Sequence, residues 1–94
     1  MSKKIITVEG LNEALLNLKR LTNIDNINSI KETSFFTCNS AVPIGNVYLP
    51  KYTIGIVIFR NVTSGDAILL AVDFSRNLYV GLKNDDTWLD ARVI

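Results

Sequence analysis

The chain reads as an α+β protein that is mainly β, with a short N-terminal helix followed by a small antiparallel β knob. Three observations predict this. Residues 11–21 space their apolar side chains at helical intervals; residues 52–61, 67–74 and 78–82 are apolar runs of strand length; and the gaps between those runs carry turn chemistry. The expected organisation is an attachment segment and helix over residues 1–22, then a β domain over residues 23–94.

Residues 1–9 are rich in β-branched side chains (Ile5, Ile6, Thr7, Val8) and read as an extended lead-in broken by Gly10. Beyond it, Leu11, Leu15 and Leu18 fall on one stripe of a helix of about three turns. A helix that short is marginal alone in water, so its leucines need a partner. The 4-then-3 spacing is that of a coiled-coil seam, and packing on the chain's own sheet is equally compatible with it. Ile24, Ile27 and Ile30, three apart among Asn, Asp and Ser, predict a connector with one helical turn.

From Phe35 the pattern turns to strands. Phe35 to Cys38 give a first strand signal, residues 39–45 a loop with Pro43 and Gly45 as breakers, and Val47 to Leu49 a short strand ended by Pro50. Residues 52–61 (YTIGIVIFRN) carry apolar side chains on both faces, the mark of a central strand. Residues 67–74 and 78–82 follow after short polar turns, so the three form a meander. Asn84, Asp85 and Asp86 turn the chain again before Thr87 and Trp88. Phe36, Ile56, Ile58, Leu70, Val72, Tyr79 and Trp88 are the expected core.

Composition bounds function. The chain has 94 residues, of which 48% are hydrophobic and 20% charged, enough for one cored domain. A net charge of +1, with both signs interspersed, offers no field for a phosphate backbone, so nucleic acid is not an expected partner. With no histidine and one cysteine, Cys38, neither a usual metal site nor an intrachain disulfide is expected, and no cofactor is implied. The apolar stretch after Lys3 and Lys4 is far too short for a signal core or a membrane span, so no membrane insertion is expected and synthesis is placed in a cytoplasm.

No catalytic residues emerge. Asp85 and Asp86 read as a solvated turn, and Ser34, Ser40, Ser64 and Ser75 have no histidine to activate them. The glycines are dispersed; Gly55 and Gly81, inside strand signals, predict a bulge or a close backbone approach. Tyr48, Tyr52, Tyr79 and Trp88 could stack on a sugar, and aromatics at this density more often serve packing.

From Asn23 onward the order of signals resembles the pyocin-knob type of module found in phage fibre proteins and phage-tail-like bacteriocins. The resembling pieces are Asp25 to Asn28, Thr33 to Phe36, Asn39 to Pro43, Gly55 to Ile58, Leu69 to Phe74, Leu78 to Val80, and the closing Asn84-Asp85-Asp86-Thr87-Trp88. Three positions depart from that pattern: Gly81 stands in place of an arginine, Ala91 in place of a second tryptophan, and Asp86 in place of the glycine before Thr-Trp.

The resemblance implies a phage structural protein, made in the host cytoplasm and carried on the virion. It would be a homotrimeric short fibre, head-surface decoration or tail-fibre knob. Leu11, Leu15 and Leu18 would form the oligomerisation seam, and residues 1–10 would attach to another virion protein. An alternative expectation is a carbohydrate- or receptor-binding module holding a host-surface glycan through Tyr48, Tyr52 or Trp88 with Asn39, Asn46 and Asp86. A third is a small intracellular adaptor or inhibitor that binds through a sheet edge.

Overall fold

A computed structural model describes residues 21–94. The chain enters through β1 (Thr22–Asn23), makes a single 3-10 turn (Ile27–Ser29), and continues through β2 (Ser34–Thr37), β3 (Val42–Ile44) and β4 (Val47–Leu49). The meander then follows as β5 (Ile54–Asn61), β6 (Asp66–Val72) and β7 (Leu78–Asn84), closed by β8 (Thr87–Trp88) and β9 (Arg92–Val93). The main sheet runs β1-β2-β5-β6-β7-β8, with β9 also on β7, and β3-β4 is a separate hairpin. The protein is mainly β, as expected. The helix expected over residues 11–21 lies, apart from Leu21, outside the described residues, as does the proposed attachment segment. Strand β1 spans residues 22 and 23, on either side of the expected domain boundary.

Turn chemistry fixes the hairpins. Between β5 and β6, Asn61 Oδ1 accepts from the amides of Thr63 and Ser64 at 2.9 and 3.1 Å, and a bulge between Phe59 and Asn61 shifts the register. Asn84 pairs with Thr87, so Asp85 and Asp86 form a two-residue loop. Both have positive φ, 52° and 64°, as a type I′ turn requires. Asp86 therefore adopts a backbone that glycine takes without strain.

Residues 39–45 are not a plain loop. Val42–Ile44 form a strand against β4, with Ile44 opposite Val47 and a two-residue turn, Gly45-Asn46, between them. Pro43 suits a strand in a two-stranded ribbon, whose outer side has no ladder to satisfy. Gly45 has a φ of 66°, and a Cβ there would strike Asp90 Oδ1 and sit 2.8 Å from Asp90 Cα. The Asn46 amide donates to the same Asp90 carboxylate at 2.8 Å, and the Ala91 amide donates to Ile44 O at 3.2 Å. The C-terminal segment is thereby tied to the hairpin, and Ala91, 5% exposed, fills a place in the core.

The connector carries its helical turn where expected. Asn26 caps it, with Oδ1 accepting from Asn28 N at 2.8 Å. The three-residue spacing of Ile24, Ile27 and Ile30 brings all three into the core at 3–4% exposure.

Among the described residues, one sheet face is packed and the other is not. Phe36, Val57, Leu69 and Tyr79 point inward, with Gly55, Ala67, Ala71 and Gly81 among them, and Val42, Ile44 and Leu49 of the hairpin close the layer from the other side. Phe36 lies over Gly55, where an added Cβ would meet its ring at 2.9 Å and the Leu70 carbonyl oxygen at 2.6 Å. This is the close approach that the strand glycine predicts. Of the expected core, Phe36 and Tyr79 are buried and Trp88 is partly buried. Ile58, Leu70 and Val72 are not core residues: they are 39, 40 and 47% exposed on the opposite face, and Ile56 beside them is only partly covered. The inner layer is thin: beside Phe36, Val57, Leu69 and Tyr79 it takes the glycines and alanines of β5, β6 and β7, and most of the large aliphatics of those strands stand outside.

Candidate functional site

The antiparallel register stacks the outward side chains into three cross-strand rows. Ile54, Val72 and Leu78 form one; Phe35, Ile56, Leu70 and Val80 the next; Ile58, Ile68 and Leu82 the third. Adjacent strands place such partners about 5 Å apart, so the rows merge into a continuous aliphatic surface. Most of its members are 36–47% exposed, which is high for side chains flanked on both sides by neighbouring strands. Polar residues bound it. Thr37 lies beside Ile54, Arg92 beside Val80, and Arg60 pairs with Asp66 at 2.6 Å where β5 turns into β6. The Arg60 guanidinium, helped by the Asp85 amide, holds the Asp66 carboxyl below its ordinary range. An open groove of about 470 Å3 runs from this pair between Ile58, Ile68 and Leu82.

The aromatic residues expected at a ligand surface are dispersed. Tyr48, 62% exposed, stands on β4 opposite Pro43. Tyr52, 51% exposed, is not in the strand expected from residue 52 but in the turn before β5, at a φ of 68° that bulky residues seldom adopt. Its amide donates to Cys38 O at 2.6 Å, and the Lys51 ammonium stands 5.3 Å from its ring centre. Trp88 packs its ring over Gly81, where an added Cβ would lie 3.3 Å from Cζ3, and its buried indole N–H has no hydrogen-bond partner among the described residues.

Two grooves border Trp88, and neither is lined by Tyr48 or Tyr52. The Asn46 backbone N–H is held by Asp90, and the Asp86 side chain is engaged in an ion pair with the buried Lys83 at 3.1 Å. Lys83 also lies 5.4 Å from the Phe59 ring centre.

The carboxylate with the most perturbed chemistry serves a turn. Asp73 Oδ1 accepts from the amides of Ser75 and Asn77, while Oδ2 accepts from Asn77 Nδ2 and Tyr79 Oη. These bonds, the Asn77 amide first, hold its pKa down to about 2, and burial pushes the Tyr79 phenol up. A fully occupied acceptor set organises the β6–β7 loop and leaves no lone pair aimed at a substrate. Cys38 is buried, and desolvation raises its thiol pKa, the reverse of what a reactive cysteine needs.

Sequence reasoning missed the aliphatic face as a site because four of its residues, Ile56, Ile58, Leu70 and Val72, were assigned to the core. Comparison with protein-family models, with curated proteins and with solved structures finds no match to this chain. The class that fold and site define is a small β module with, among its described residues, an apolar sheet face.

Proposed function

We propose that the protein is a phage structural module, a homotrimeric short fibre or surface decoration that presents its β domain on the virion. The observation that carries the reading is the aliphatic face: a β domain with one sheet face packed and the other uncovered among the described residues is built for assembly. The resemblance of residues 23–94 to a phage fibre knob and the Leu11, Leu15, Leu18 stripe support the same reading. Polar networks that serve turns, at Asp73 and at Asp90, fit a scaffold.

The test is fractionation of particles from a lysate of cells producing the phage that encodes the chain. Immunoblotting should find the chain with the particles through a density gradient, and light scattering should give the purified chain three times its monomer mass. Recovery only in the soluble fraction would refute the virion assignment.

A second reading, a glycan-binding module, draws on the exposure of Tyr48 and Tyr52 and on the unusual backbone that holds Tyr52 out. A glycan-array signal lost in Tyr48→Ala or Tyr52→Ala, with melting unchanged, would establish it.

A further inference from the structure

We infer that the aliphatic face of β5, β6 and β7 is the interface between three copies of the chain, the sheets standing as the sides of a prism with their Ile, Leu and Val rows inside. This rests on the trimer reading and adds the surface that makes it.

Size and shape carry the inference. Nine aliphatic side chains and Phe35, each more than a third exposed or partly covered, present on the order of 600 Å2 of contiguous apolar surface, at the upper end of what a monomer normally leaves in water. That is close to the roughly 800 Å2 per partner that a stable association buries. The face has no charged side chain within its three rows, and its polar residues lie at the rim, the arrangement of an interface core.

The dimensions of the face fit a threefold arrangement. Strands spaced about 4.8 Å apart make a face roughly 14 Å wide across β5, β6 and β7, or 19 Å with β2. A triangular prism with sides of that width puts each face about 4–5.5 Å from its axis, near half the ~10 Å separation of packed sheets. Side chains of Ile, Leu and Val would therefore fill the interior without a channel. A single helix about 10 Å across, such as residues 11–21 could form, would cover about two of the strands and leave part of the rows in water.

The experiment uses the full chain and three variants: Leu70→Asp at the centre of the face, Leu70→Cys as a probe, and Leu15→Asp in the N-terminal stripe. Cys38 is fully buried, so its resistance to a maleimide reports that each variant is folded. The expected result is a trimeric parent, a folded monomer for Leu70→Asp, and slow maleimide reaction at the thiol introduced by Leu70→Cys. A trimer that survives Leu70→Asp and dissociates with Leu15→Asp overturns the interface while leaving the trimer reading intact. A dimeric parent overturns the prism. A monomeric parent overturns both, whether the introduced thiol reacts freely or is shielded by the chain's own N-terminal segment.

Discussion

Tyr79 donates its phenolic hydrogen to Asp73 Oδ2 at 2.7 Å, joining the first residue after β6 to the second residue of β7. Because the bonded carboxylate has a folded pKa of about 2 against an ordinary 3.8, it contributes stability that is fully present above pH 4. That contribution is lost as pH falls toward 2. An acid-unfolding series should show this decline, and Asp73→Asn should flatten it while lowering stability at neutral pH. An unchanged acid limb in Asp73→Asn would show that another carboxylate is responsible.

Gly45→Ala meets two obstacles, a φ of 66° and the backbone of Asp90. The left-handed backbone alone costs an alanine about 1 kcal/mol, and the forced shift adds a comparable amount, for a total near 2 kcal/mol. Urea melts should read that loss.

Arg76 is exposed, has a φ of 68°, and supplies the turn with its amide, which donates to Asp73 O at 3.1 Å. Glycine keeps that amide and relieves the backbone. Arg76→Gly should stabilise the domain by roughly 0.5–1 kcal/mol, the relief being partly offset by the greater entropy of an unfolded glycine. A lower melting temperature would contradict this account of the turn.

Phe36 is fully buried against Gly55. Phe36→Ala should cost about 3–5 kcal/mol, and Leu69→Ala about 2–5 kcal/mol, whereas Leu70→Asp, one residue away, should leave Cys38 protected. Thiol-labelling rates across denaturant would separate the two faces directly.

Much of the architecture was legible in the sequence: the meander, the 3-10 turn, the β4 strand ending at Pro50 and the Asp85-Asp86 turn all follow from local chemistry. The sides of the central strands were not. Ile56, Ile58, Leu70 and Val72 are large and aliphatic, as are Val57 and Leu69 beside them, so hydrophobicity alone does not say which set goes inside. Volume decides instead, because Phe36 leaves no room for a side chain at Gly55 and Trp88 packs closely over Gly81. Strand β3 was hidden because Pro43 and Gly45 are breakers in isolation, and only Asp90, 45 residues downstream of Gly45, shows what that glycine accommodates. The candidate site was invisible for the same reason as the core: a strand that is apolar on both sides does not announce which side will be covered.

The unequal sizes of the two faces also bear on how the chain finds its pairing. In an ordinary half-buried sheet, a one-residue slip is penalised because polar side chains would enter the core. Here a one-residue slip of β6 against β5 would exchange the buried Ala67, Leu69 and Ala71 for Ile68, Leu70 and Val72, replacing one apolar set with another. Fidelity of strand alignment in this protein therefore depends on steric rejection of bulk and on the turns at Asn61 and Asp73, and loosening either turn should yield misaligned sheets before it yields unfolded ones.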